Sequence, residues 1–228
     1  MLMESIDTLI FDLDNTLIDR NAAMRQTIQD WLIEQGYVQP ALQTALTDSM
    51  LYDNWGYADR LDFTAWLLHT YGKEQSKSTT AQALQQLVHI NNSRNVQPDP
   101  QVQALLKLLG SQFRLVLATN GGSTTQRAKI NQAQLETFFE PDAIFVSGEM
   151  EFEKPDPRYF KKIISDLQLN VTRTLVIGDN LRNDIQAAQA CGLYTCWVSH
   201  GRAGEAGIQP NMIIKNITET GTWSKQLI

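Results

Sequence analysis

Cysteine is scarce: Cys191 and Cys196 are the two present in 228 residues. Their spacing fits no zinc or redox motif, and a disulfide framework would use more of them, so they read as two small hydrophobes near a strand. Long apolar runs are missing too. None approaches the ~18 residues needed to span a membrane, and the opening Met1-Leu2-Met3-Glu4-Ser5 lacks a basic n-region, so the expected location is cytoplasmic. On that expectation Asn170-Val171-Thr172 and Asn216-Ile217-Thr218 are chance matches to the glycosylation pattern. Positive charge is in short supply: 19 Lys and Arg against 25 Asp and Glu leave a net charge of −6. An acidic surface excludes a general nucleic-acid polymer binder or a membrane-surface binder, although a local basic pocket is compatible with it. The chain also has no Gly-x-x-x-x-Gly-Lys-Ser/Thr loop, no Gly-x-Gly-x-x-Gly and no His-Glu-x-x-His. Its three histidines, His69, His89 and His200, are scattered without a partner visible in the sequence.

What is present begins with an apolar, β-branched run at 6–10 that reads as a buried strand and leads into Phe11-Asp12-Leu13-Asp14-Asn15-Thr16-Leu17. Residues two apart in an extended chain project to one face, so Asp12 and Asp14 emerge together at the strand's C-terminal edge. Such a pair faces solvent, binds a cation, or divides a reaction between a deprotonated and a protonated carboxyl. After a connector at 15–19 the pattern turns helical, with helices expected at 22–35, 41–51, 62–71 and 79–91. No strand signal interrupts this block, which reads as a four-helix insert over 19–96, leaving 1–18 and 97–228 as the core. Tyr52, Trp55, Tyr57, Phe63 and Trp66 form an aromatic cluster of the kind usually found in cores. The segment 52–60 nevertheless reads as a loop, where exposed aromatics would be available to a substrate.

Pro98-Asp99-Pro100 stops the helical block. Beyond it strands at 113–119, 143–147, 174–177, 194–198 and 212–214 alternate with helices at 101–109, 123–134, 157–167 and 181–190. That alternation indicates βαβ units: an α/β fold with a Rossmann-like parallel sheet and helices on both faces. Ligands in such sheets bind beyond the carboxyl ends of the strands. The second strand ends in Thr119-Asn120-Gly121-Gly122, which suits a phosphate as well as it suits a helix cap and turn. Lys154 precedes Pro155, and Asp156-Pro157 opens the next helix, so the backbone under this lysine is stiff on both sides. Glu149, Glu151 and Glu153 before it read as a solvated acidic loop. The strand 174–177 ends in Gly178-Asp179-Asn180-Leu181-Arg182-Asn183-Asp184. Asp184 falls in a helix's first turn, where a carboxylate is favourable in its own right, but Asp179 has no such reason to be there. Oxygen ligands in this number suit Mg²⁺.

Four stations now stand in order: Asp12-x-Asp14, Thr119, Lys154 before a proline, and Gly178-Asp179-x-x-x-Asn183-Asp184. This order resembles the haloacid dehalogenase-like (HAD) superfamily of phosphohydrolases, over the whole of the core. The helical insert is similar to that family's type 1 cap, with 15–19 as the hinge region. The resemblance implies that Asp12 is the nucleophile, forming an aspartyl-phosphate, and that Asp14 handles protons for the leaving group and the attacking water. It implies Mg²⁺ held by the Asp12 carboxylate, the Asp14 backbone carbonyl and Asp179, with Asp184 direct or through water. Thr119 and the adjoining Asn120 would bind the phosphoryl group, and Lys154 would offset its charge. With Asp14 protonated, three carboxylates against Mg²⁺ and Lys154 give a neutral site before substrate arrives. The expected activity is hydrolysis of a small phosphomonoester such as a nucleotide, a sugar phosphate or phosphoglycolate, by a monomer or homodimer. A phosphomutase of the same superfamily shares every core residue and is the alternative. A receiver-type phosphoacceptor module is the distant one, because there the phosphorylated Asp follows a middle strand and the acidic pair follows the first.

Overall fold

The computed structural model describes residues 6–73 and 78–225; the opening residues 1–5, read above for a leader, lie outside them. The chain forms two compact units, Met1–Ile18 with Pro98–Ile228, and Asp19–Gln97.

The first unit is a six-stranded, wholly parallel sheet. Its strands are β1 (Thr8–Phe11), β2 (Arg114–Thr119), β3 (Ile144–Val146), β4 (Thr174–Gly178), β5 (Tyr194–Val198) and β6 (Met212–Ile214), in the order β3-β2-β1-β4-β5-β6. Strand order runs one way from β1 through β2 to β3 and the other way from β4 to β6, so β1 sits at the switch point where α/β sheets open a crevice. Phe11 lies opposite Leu117 on one side and Ile177 on the other, which sets Asp12 between the ends of β2 and β4. Strands covered on both faces should be apolar throughout, and these are. Ile10, Val116 and Val176 pack with Tyr159, Phe160 and Ile163 of α7 (Pro157–Leu167) and with Ala187 and Ala188 of α8 (Ala187–Gln189). Leu9, Leu115, Leu117, Leu175 and Ile177, on the opposite face, are buried as well.

Helix starts follow cap chemistry, in which a side-chain oxygen takes up an orphan N–H. Asp99 accepts from the Gln101 amide at 2.8 Å to open α5 (Pro100–Gly110), and Asp156 accepts from the Arg158 amide at 2.9 Å to open α7. Both helices carry proline in the first turn, where its missing N–H is harmless. The segment expected as an ordinary helix at 181–190 differs: Leu181–Gln186 is π-helical and only Ala187–Gln189 is α. Its wide first turn lets Asp184 Oδ2 accept from the Asn180 amide at 3.0 Å, a contact that turns the Asp184 carboxylate back toward the strand end.

The second unit contains α1 (Arg20–Glu34), α2 (Ala41–Asp53), α3 (Arg60–Tyr71) and α4 (Ala81–Asn95). Met24, Ile28, Leu32, Leu46, Phe63, Leu67 and Leu84 form its core. The expected loop at 52–60 is shorter than the sequence suggested, because α2 continues through Asp53. Tyr52 therefore stands on a helix and stacks on Trp66 at 4.6 Å, while Tyr57 is exposed. What extends the helix is charge. Asp53 is fully buried, ion-paired to Arg20 and bonded to Arg60 at 2.7 Å, and it also accepts from the Gly56 amide at 3.0 Å. Burial pushes the Asp53 carboxyl up, but the two guanidiniums outweigh that and hold it below the usual carboxylate range. The cluster ties the start of α1 and the start of α3 to the end of α2.

Removing one partner of a buried ion cluster strands the others. Asp53→Ala is expected to lower stability by about 3–5 kcal/mol in urea unfolding. Arg60→Ala, at a position about a quarter exposed, is expected to lower it by roughly 1 kcal/mol. Equal losses in the two variants would refute the cluster as the anchor of this unit.

Candidate active site

Asp12 continues β1, its amide donating to Ile177 O at 2.9 Å, so the β1–β4 ladder fixes it. Asp179 follows β4 directly. Asp184 reaches the same point because Gly178 has no side chain: a Cβ at Gly178 would collide with the Asp184 carboxylate. One oxygen from each of Asp12, Asp179 and Asp184 lies within 4.8 Å of the others, and all three residues are buried. This donor set could hold a metal ion. Three hard oxygens with no nitrogen or sulfur fit Mg²⁺ or Ca²⁺ and are a poor fit for softer metals.

Lys154 lies between them. Its ammonium is buried and donates to Asp12 Oδ1 at 2.7 Å, Asp184 Oδ1 at 2.6 Å and Ala118 O at 2.9 Å. Burial alone would lower its pKa, but the two carboxylates reverse that and hold the ammonium above its usual range. Asn120 fixes the lysine from below. Its side chain donates to Lys154 O at 2.6 Å and accepts from the Lys154 amide at 3.0 Å, so this candidate phosphate ligand spends its amide group on the backbone of another. The Gly121 amide, also a candidate for anion contact, donates to Ser147 Oγ at 3.0 Å.

Desolvation pushes the Asp12 carboxyl up to about 7, with Asp184 and Asp14 adding to the rise and Lys154 opposing it. Asp179 is raised for the same first reason, then by Asp12 and Asp184, against Arg202. With three carboxylates against the Lys154 ammonium and the part-exposed Arg202 guanidinium, the cluster is short of positive charge. Asp14 stands apart from the three. Lys129 Nζ donates to both of its oxygens, at 2.7 and 2.6 Å, and Gln126 Nε2 donates to Asp14 Oδ2 at 3.1 Å and to Thr119 Oγ1 at 2.6 Å.

Several of these groups were not singled out in the sequence. Gln126 and Lys129 sit three apart on α6 (Ser123–Gln132), both buried, and two buried polar residues on one helix face beside Thr119 are the signal that would have found them. Arg202 donates to Asp179 Oδ2 at 3.0 Å and Asp179 O at 2.7 Å, and lies beyond the end of β5, where the strand-end rule also points. His200 has a partner after all, with Nε2 2.6 Å from Asn15 O. Of the three glutamates read as a solvated loop, Glu149 departs from that reading: it pairs with Arg127 at 2.7 Å and accepts from Ser123 at 2.5 Å, and the two bonds pull its carboxyl down to about 2.

Residues 9–198 match the family model of the haloacid dehalogenase-like hydrolases. The chain belongs to that family. The HAD-hydrolase YfnB of Bacillus subtilis is 30% identical over 210 residues, covering 86% of each chain. A crystal structure of YfnB bound to magnesium superposes with a TM-score of 0.77 at 26% identity, over 99% of this chain and 100% of that one. N-acylneuraminate-9-phosphatase of Rattus norvegicus is 27% identical over 96% of this chain and 94% of its own length. The pyrimidine 5'-nucleotidase PynA of Streptococcus pneumoniae is 28% identical over 83% and 82%. Among the described residues of this HAD-family chain, no helix is long and apolar enough to cross a membrane.

The raised Asp12 carboxyl makes metal-free stability depend on pH. Between its ordinary value of 3.8 and about 7 the native form holds a proton that the unfolded chain has lost. Native protein therefore binds more protons in that window, and stability falls as pH rises through it. Thermal melts in chelator are expected to show a falling midpoint from about pH 4 to 7. Mg²⁺ at about a hundred times its dissociation constant should restore about 2.7 kcal/mol at pH 7. A flat profile, or no response to the cation, would contradict the charge deficit described above.

Proposed function

We propose that this HAD-family enzyme is a Mg²⁺-dependent phosphatase that hydrolyses a small phosphomonoester through an aspartyl-phosphate on Asp12. The observation that carries this reading is the buried Asp12–Asp179–Asp184 cluster with Lys154 bonded to two of its members. A cluster so short of positive charge is stable when a cation and then an anion complete it. Mg²⁺ would be held by the carboxylates of Asp12 and Asp179, the backbone carbonyl of Asp14, and Asp184 directly or through water. When bound, it supplies charge neutralisation and alignment of the phosphoryl oxygens.

The protein groups do the rest. Asp12 Oδ attacks phosphorus and the ester oxygen leaves in line, taking a proton from Asp14. Asp14 then takes a proton from the water that attacks the aspartyl-phosphate, releasing phosphate and regenerating Asp12. Thr119 Oγ1 and the backbone amide after it hold the phosphoryl oxygens, and Lys154 offsets the charge shared between nucleophile and phosphate. The helical unit takes the place of the family's type 1 cap and selects the leaving group. The relatives' named substrates, an acylneuraminate 9-phosphate and pyrimidine nucleotides, support a nucleotide, sugar phosphate or similar metabolite. The family match favours hydrolysis over a phosphoacceptor role.

Purified protein assayed against a panel of phosphorylated metabolites is expected to release phosphate with Mg²⁺ and to stop in excess chelator. Asp12→Asn is expected to reduce the rate at least a thousandfold, a barrier increase of about 4 kcal/mol. Retained hydrolysis in that variant would remove Asp12 as nucleophile, and activity surviving the chelator would remove the metal.

A further inference from the structure

Asp14 is the acid/base on the reading above, yet nothing in the motif says what aims its carboxylate. Its side chain is about a quarter exposed, and it belongs to a loop closed by the Asn15 amide on Ile18 O at 2.8 Å and the Leu17 amide on Leu13 O at 2.9 Å. Backbone alone leaves the side-chain torsions free to turn. Two buried groups on α6 remove that freedom. Lys129 is 5% exposed and Gln126 is 1% exposed. The ammonium spans both Asp14 oxygens. The Gln126 amide nitrogen bridges Asp14 Oδ2, Thr119 Oγ1 and Asn120 O, the last at 2.8 Å.

Burying a lysine is unfavourable, and a partner that is part-exposed returns only some of that. A role in stability alone would be met by an apolar residue at 129. What the arrangement provides is geometry: a fork of two contacts fixes the plane of the carboxylate, and Gln126 ties that plane to the hydroxyl that faces the phosphoryl group. We propose that Lys129, with Gln126, is a positioning residue that holds the Asp14 carboxylate in register with Thr119, so that its proton meets the leaving oxygen. This rests on the acid/base reading of Asp14. Lys129 acts through Asp14, both of whose oxygens it contacts.

The test uses two aryl esters. p-Nitrophenyl phosphate releases a leaving group that departs without a proton, whereas phenyl phosphate releases one that benefits from it. The ratio kcat/KM reports formation of the aspartyl-phosphate and is blind to the later hydrolysis step. General acid catalysis contributes about 10²–10⁴-fold, and misaiming the acid forfeits part of that. Lys129→Met is expected to lower kcat/KM for phenyl phosphate about 10–100-fold. For p-nitrophenyl phosphate the expected loss is under about threefold. Lys129→Arg should restore most of the difference. Equal losses on the two esters, or none, would overturn the positioning role. Should Lys129→Met not fold, Lys129→Gln keeps a polar group at the buried position and is read the same way. Asp14→Asn separates the two levels of the argument. If it does not discriminate between the esters, the acid assignment fails; if it discriminates and the Lys129 variants do not, only the positioning proposal fails.

Discussion

The Lys154 ammonium, buried between Asp12 and Asp184, is the contact on which the rest of the first unit depends. Three carboxylates share one water-poor site, and like charges about 4 Å apart repel by about 4 kcal/mol per pair at an effective dielectric of 20. Without the cation between them the site would have to protonate or open. The fold supplies this lysine from far along the chain, on the segment after β3, and clamps its backbone through Asn120. Both of these come from outside β1 and β4, the strands that carry the carboxylates. A parallel sheet with its switch point at β1 is what brings four distant segments to one edge.

Around that contact lies a layer of supporting bonds that hold directions rather than add stability. Thr16 Oγ1 donates to Asp12 Oδ2 at 3.2 Å, leaving Oδ1 to Lys154. Trp197 Nε1 donates to Asp179 O at 2.9 Å, and Arg202 takes the same carbonyl and the carboxylate. Each acidic side chain thus meets the site with one oxygen committed and its rotation restricted. Outer partners of this kind are how proteins orient metal ligands, and the proposed Mg²⁺ site would draw on them.

The parts legible in the sequence are those with one-dimensional signatures. Strand β5 and helix α7 have the predicted bounds because alternation, caps and proline positions are local. Asp12 and Asp179 were readable because each follows an apolar run that reads as a strand, and Asp184 because it falls in the motif that continues from Asp179. Gln126, Lys129 and Arg202 were not, since a polar residue on a helix or in a loop looks the same in sequence whether it faces water or a carboxylate. The π-helical turn after β4 was invisible for a related reason: a long-range demand, the return of Asp184 to the strand end, overrides local α propensity. Asn120 shows the converse. Its residue type and place suited a phosphate ligand, but the same donor and acceptor pair also suits a backbone, and only the approach of Lys154 decides between them.

Two buried ion clusters among the described residues show how charge balance separates structure from function. In the helical unit Asp53 meets two guanidiniums, and they hold its carboxyl below the usual range despite burial. That cluster is electrostatically complete, with an excess of cation, and its job is to join three helices. In the sheet unit Asp12 and Asp179 are also buried but pushed upward, by desolvation first and then by neighbouring carboxylates, which one ammonium and one part-exposed guanidinium do not offset. A fold has no structural reason to maintain such a deficit, since buried charge left unmatched is destabilising. The opposite directions of the shifts, from the same residue type at similar burial, support the proposed reading, in which the protein completes the first cluster and a bound cation completes the second.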